Sequence, residues 1–199
     1  MGLALEYIDG QTPLDEDEKE DLLIDSITTR AELDEFEQLN IQKAVKWTLT
    51  QTFKQNEFLT EVFVKQLHKT MLEDVWAWAG IFRKSNKNLG VEWQVISTGL
   101  KNLLDDGKYW LENKTYAEDE LAIRFKHRLV DIHCLSNGNG RHSRLFADIL
   151  ISHILGKPLF TWGGKQDLFS KSEVREQYLI ALKAGDNGDM APLIEFART

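Results

Sequence analysis

One stretch of the sequence combines residue types and spacing that could do chemistry: Ile132-His133-Cys134-Leu135-Ser136-Asn137-Gly138-Asn139-Gly140-Arg141-His142-Ser143-Arg144. Gly138 and Gly140 permit positive φ, so successive N–H groups can turn into one concavity. That concavity falls at the start of an expected helix, where the helix dipole also favours an anion. Arg141 and Arg144, three apart, occupy neighbouring positions on one face. Two guanidiniums beside an amide nest suit a polyphosphate better than a single phosphate. His133, just before the loop, carries a ring that can accept a proton near neutral pH. A plainer explanation competes: Gly-Asn-Gly is often only a helix-to-helix turn, and arginines at this spacing are usually surface charge. On an otherwise buried helix unpaired charge is costly, although Asp148, four residues beyond Arg144, offers a structural partner.

Other candidates carry less. Cys134 beside His133 suggests a Cys–His nucleophile, but adjacent side chains seldom face each other and no third orienting group is present. His127, His133, His142 and His153 do not have metal-ligand spacing, and no carboxylate cluster completes a site. His68 is read as a surface or packing histidine.

The elements that must position this stretch are helical. Phe36, Leu39, Lys43 and Trp47 predict a helix over about 32–52, and Leu59, Phe63, Leu67 and Met71 a second over about 57–78. Leu100, Leu103, Leu104 and Leu111 mark a third over about 97–113, and Leu121, Phe125, Leu129 and Ile132 a fourth over about 118–132. A fifth, about 140–155, is apolar around more than one face and is expected to be central and buried. Val174, Tyr178 and Leu182 mark a sixth, and 190–198 a short last helix. Between the second and third, glycines and short apolar runs around Ser85-Asn86-Lys87-Asn88 predict a small β-hairpin. The expected fold is all-α with one hairpin.

Composition bounds the function. The 199 residues carry a net charge of −8, which argues against duplex DNA or an anionic membrane as a direct partner. Residues 1–40 hold 13 acids and only two bases, so an acidic arm precedes a nearly neutral body. The acid run Asp15–Asp21 is expected to be a solvated turn or helix start. The single cysteine permits no intrachain disulfide. With no basic n-region, apolar h-region or membrane-length apolar run, the expected location is cytoplasmic.

The His133–Arg144 stretch resembles the signature of the Fic family, His-Pro-Phe-x-Asp/Glu-Gly-Asn-Gly-Arg-x-x-Arg, with His133, Gly138, Asn139, Gly140, Arg141 and Arg144 matching in identity and spacing. Trp78-Ala79-Gly80, Phe82-Arg83 and the helix His127–Ile132 extend the resemblance. Ile27-Thr28-Thr29-Arg30-Ala31-Glu32-Leu33 is similar to the branch called mobile mystery protein B. The resemblance implies a Fic-like helical bundle over 32–199, preceded by an inhibitory acidic arm over 1–31. It implies a protein adenylyltransferase that moves AMP from ATP to a hydroxyl of a target protein.

In that scheme His133 is the general base. Gly138, Asn139 and Gly140 cradle the phosphates, Arg141 and Arg144 hold the β- and γ-phosphates, and Mg²⁺ offsets charge on the leaving group. The target segment lies on a flap around residues 81–96. The branch further implies a helix-turn-helix partner protein. Thr28-Thr29-Arg30-Ala31-Glu32 fits the start of the family's inhibitory pattern, which makes Glu32 an inhibitory residue paired with Arg144, although Leu33 replaces the usual Gly or Asn. Two further departures stand in the motif. Asn137 replaces the metal-holding Asp or Glu, leaving a weaker neutral ligand, and Cys134-Leu135 replace Pro-Phe. Asn137 motivates an alternative function, a catalytically weak nucleotide-binding regulatory module of a mobile-element or toxin–antitoxin system. A third reading is transfer from another phosphoryl donor.

Overall fold

Side-chain caps written into the sequence set several of the helix boundaries. The computed structural model describes Leu5, Tyr7, residues 10–164, Leu168 and residues 172–199. Its helices run in the order α1 (Glu16–Glu20), α2 (Arg30–Thr50), α3 (Gln55–Phe58), α4 (Glu61–Leu72), α5 (Ile96–Asn113), α6 (Glu118–Ile132), α7 (Asn139–Ile149), α8 (Glu173–Asp186) and α9 (Ala191–Arg198). Thr29 caps α2, Thr60 caps α4 and Ser172 caps α8, each hydroxyl accepting a backbone N–H three residues on. Pro192 sits in the first turn of α9, where its missing N–H costs nothing.

The architecture is all-α, and α7 is its centre. Its residues His142, Ser143, Phe146 and Ala147 are buried, and it packs on α6 and α4 and continues into a π turn, Leu150–Ile154. Phe125 of α6 stacks on Phe146 with ring centroids 4.9 Å apart, and Phe58 approaches the other side at 4.4 Å. Among the described residues, no helix is long and apolar enough to cross a membrane.

Three sequence expectations change. The helix expected over 57–78 is two pieces, α3 and α4, because the Thr60 cap interrupts it. Beyond Leu72 the chain turns so that Trp76 and Trp78 stack in the core, their indole N–H groups donating to Glu37 and to the Glu18 carbonyl. On α2 the expected stripe faces outward, with Phe36 39% and Leu39 51% exposed. The buried face is Leu33, Glu37, Asn40, Ala44 and Thr48, whose polar members are bonded: Asn40 bridges the Thr70 carbonyl and the Asp74 N–H.

The third change concerns the hairpin. Residues 83–92 form a loop without paired strands. Arg83 holds the loop in place of a ladder: its guanidinium donates to the carbonyls of Ser85, Val91 and His133. A single antiparallel bridge, Phe82 to Leu135, ties the loop to the motif.

The acidic arm is docked on the body. Its Leu22 pairs with Trp76 in an antiparallel bridge, with Leu23 N–H donating to Val75 O and Ala77 N–H to Asp21 O. The boundary expected between residues 31 and 32 falls inside α2.

Candidate active site

α6 ends at His133, which adopts the left-handed conformation (φ 53°, ψ 53°) uncommon for a residue with a Cβ. That turn directs the ring into a cavity of about 330 Å³. Nδ1 lies 3.2 Å from the Val130 carbonyl. A carbonyl only accepts, so Nδ1 carries the proton and Nε2 is left as the acceptor. Burial holds the ring's pKa down at about 4, with the Val130 carbonyl opposing and Arg83 and Lys87 reinforcing the shift. His133 is therefore neutral at pH 7, in the tautomer a general base requires.

The Thr12 hydroxyl donates to this Nε2 at 2.7 Å, and both residues are buried. Asn137 Nδ2 donates to the Thr12 carbonyl at 3.0 Å. Thus the N-terminal segment, not solvent, lies against His133.

The loop is braced on all sides. Asn139 grips Leu135 through both backbone groups, its Oδ1 accepting from the N–H and its Nδ2 donating to the carbonyl. Gly138 takes positive φ (74°) as the cap of α7. Below it lies His68, fully buried: it accepts from Gly80 N–H at Nδ1, so Nε2–H donates to the Asn137 carbonyl at 3.1 Å. Burial pushes its pKa down to about 3. The packing role expected for His68 holds, and the residue it supports is in the motif itself.

The structure brings His133, Asn137, Gly138, Asn139, Gly140, Arg141 and Arg144 to one cavity, whose opposite wall is α8 through Tyr178, Leu179 and Leu182. Arg141 donates to Glu37 of α2. Arg144 lies over the Tyr178 ring, 5.3 Å from its centroid. Burial would raise the Tyr178 phenol, but Lys126, donating to it at 2.6 Å, and Arg144 outweigh that and bring its pKa down to about 8. Asp148, the partner expected for Arg144, accepts from Trp162 Nε1 at 3.0 and 3.2 Å; its burial raises it to about 7, with Trp162 and the charge of Arg144 opposing.

Glu32 is not among the residues lining the cavity. Its carboxylate accepts from the Thr28 and Thr29 N–H groups, both at 2.9 Å, and closes the capping box of α2. A carboxylate that does reach a motif arginine is Glu37, which pairs with Arg141.

Asn137, the expected metal ligand, points its Oδ1 at Gly138 N–H (2.6 Å) and toward Arg141 (3.3 Å). An oxygen committed to two donors, one of them cationic, does not fit Mg²⁺ as it stands. Among the described residues no group of three or more His, Cys, Asp or Glu side chains forms a cation site. Cys134 is buried and its thiol is pushed up to about 12 by that burial, so no thiolate nucleophile exists here.

Residues 58–151, which span α4 to α7 and enclose this loop, match the family model described as Fic/DOC family. This stretch is similar to a Fic domain. Among curated proteins it is similar to the protein adenylyltransferase Fic of Aedes aegypti, 25% identical over 162 residues, and to that of Culex quinquefasciatus, 24% identical over 162 residues. Each match covers 79% of this chain and 31% of the relative, so the chain spans about a third of their length. Among solved structures, Fic-1 from C. elegans aligns with a TM-score of 0.67 at 20% identity, covering 89% of this chain and 50% of that one. The BepC effector of Bartonella tribocorum, solved with bound AMPPNP, aligns with a TM-score of 0.66 at 16% identity, covering 86% and 87%.

Residues that the sequence did not single out as site residues also build the candidate site. Thr12, Glu37 and Tyr178 each touch a motif side chain. Glu37 had a signal: it shares a helical face with Leu33, Asn40 and Ala44, and a carboxylate on a buried face needs a partner. Thr12 had none, because its contact spans 121 positions of the chain.

Proposed function

We propose that the chain is a Fic-type adenylyltransferase that moves AMP from ATP to a hydroxyl of a protein. The observation that carries the proposal is the neutral His133 whose Nε2 already accepts from a hydroxyl, beside a loop lined by Arg141 and Arg144. An acceptor hydroxyl gives its proton to Nε2 and its oxygen attacks the α-phosphorus. The bond from the α-phosphorus to the bridging oxygen breaks, and pyrophosphate leaves between Arg141, Arg144 and the first amides of α7. Leu179 and Leu182 of α8 supply an apolar wall for adenine. Both the AMPPNP bound in BepC and the adenylyltransferase relatives favour an adenine nucleotide.

Restraint by Glu32 and a helix-turn-helix partner belong to the same proposal. Glu32→Gln keeps an acceptor for the capping box and removes the charge. A higher transfer rate than wild type is expected, and an equal rate would remove Glu32 from the regulation. The partner is tested by co-purification.

Asn137 favours a second reading, a nucleotide-binding regulatory module with little turnover, because its oxygen is committed to Gly138 and Arg141. Calorimetry with AMPPNP and a transfer assay with labelled ATP separate the two. Binding and His133-dependent transfer are expected. Binding with no transfer in either wild type or Glu32→Gln would establish the module instead.

A further inference from the structure

The segment from Gly10 to Glu18 lies across the loop on which a target was expected to dock. Asn88 Nδ2 donates to the Gln11 carbonyl at 3.0 Å, Ser85 Oγ donates to Asp15 at 2.6 Å, and Lys87 pairs with Asp15 and Glu18 at 2.7 and 2.5 Å. From the motif side, Asn137 holds the Thr12 carbonyl, and from below Trp78 Nε1 holds the Glu18 carbonyl. These contacts fix the backbone on both flanks of Thr12 and leave its hydroxyl on His133 Nε2. Thr12 also lines the cavity shared by Gly138, Gly140, Arg141 and Arg144. The arrangement meets what an acceptor requires: an oxygen within hydrogen-bond reach of His133 Nε2, in the cavity of the two arginines, on an anchored backbone.

We propose that Thr12 is itself an acceptor of the domain's transfer reaction, so that the chain modifies its own N-terminal segment in cis. This rests on the function proposed above. His133 Nε2 takes the Thr12 proton, Thr12 Oγ1 bonds to the α-phosphorus of ATP, and the bond to the bridging oxygen of the β-phosphate breaks. The products are a threonine phosphodiester of AMP, pyrophosphate and the proton released from His133. The modified side chain carries a nucleotide where a hydroxyl had been. It no longer fits between His133 and Asn137, so modification expels the segment and opens the loop around Ser85–Asn88 to other proteins.

The test incubates the full chain with ATP and Mg²⁺ and follows intact mass, with tandem mass spectrometry to locate the adduct. One adenylyl group on Thr12 is expected, at a rate per molecule that is independent of protein concentration. It is retained in Thr12→Ser and lost in His133→Ala and in the isosteric Thr12→Val. An adduct on another residue, equal in wild type and Thr12→Val, would overturn the assignment while leaving the transferase intact. So would modification of other proteins with Thr12 left bare. No adduct on any protein, with AMPPNP still bound, would overturn both proposals. The wild-type adduct is located directly, so the result does not depend on how a variant folds.

Discussion

Glu37, on the buried face of α2, and Arg141, in the first turn of α7, form an ion pair whose side chains are only 4% and 13% exposed. The other Glu37 oxygen accepts from Trp76 Nε1 at 2.7 Å. One carboxylate thereby ties α2 to the glycine loop that opens α7. Removing the carboxylate takes from Arg141 its buried counter-charge on α2 and from Trp76 its acceptor. Glu37→Ala is therefore expected to cost about 3 kcal/mol in chemical denaturation. Glu37→Gln keeps an acceptor for Trp76, and its expected cost is about 1–2 kcal/mol. Equal costs for the two variants would mean that the indole bond is inconsequential.

Gly90 (φ 92°) brings the loop against His133. A Cβ there would lie 2.3 Å from His133 Cβ and 3.0 Å from the Ile132 carbonyl. Gly90→Ala is expected to destabilise by about 3 kcal/mol through overpacking and backbone strain. Transfer should fall at least about tenfold as the base shifts. Gly156, also at positive φ (67°) but with nothing within 4 Å of an added Cβ, is the control. Gly156→Ala should cost about 1 kcal/mol and leave transfer unchanged. Equal losses in the two variants would reduce the Gly90 effect to φ alone.

Stability should peak near neutrality and fall steeply in acid. Burial lowers His68 to about 3 and His133 and His142 to about 4, so between roughly pH 4 and 6.5 only the unfolded chain protonates them. Asp148 opposes them: raised to about 7 by burial, it keeps a proton in the folded state that the unfolded chain has lost. Three protons favour the unfolded state and one the folded, a difference of two and a slope on the order of 2–3 kcal/mol per pH unit. The histidine contribution is present above pH 6.5 and lost as pH falls; the Asp148 contribution is lost as pH rises through 7. Denaturation midpoints from pH 5 to 7.5 check this, and Asp148→Asn should steepen the acid limb. A flat profile between pH 5 and 6.5 would contradict it.

Cys134 offers a check on the nucleophile. With its thiol pushed up to about 12 and its side chain buried, native protein should resist alkylation at pH 8. Cys134→Ala should retain transfer within about twofold. Loss of transfer together with rapid alkylation would reinstate a cysteine mechanism.

Much of this was legible in the sequence. The Gly138–Arg144 spacing located the loop, and apolar periodicity located α5 and α6 to within a residue or two and marked α8, because those helices bury one continuous stripe. α2 misled for the opposite reason: it turns Glu37, Asn40 and Thr48 inward to bind polar partners and leaves Phe36 and Leu39 outside. The hairpin signal was real in composition. In the structure the segment is held instead by one arginine, Arg83, which donates to the carbonyls of Ser85, Val91 and His133. Thr12 was invisible because nothing in the local sequence marks a residue whose only distinction is to lie against His133.

AMP transfer by His133 is tested most directly by the position of the label. The chain and its His133→Ala variant are incubated with a protein mixture and Mg²⁺, with ATP labelled at either the α- or the γ-phosphate. Label from α-labelled ATP should appear on protein, the chain's own Thr12 included, and should vanish in His133→Ala. No label should come from the γ position. Protein labelled from the γ-phosphate, or labelling that survives His133→Ala, would contradict AMP transfer by this histidine.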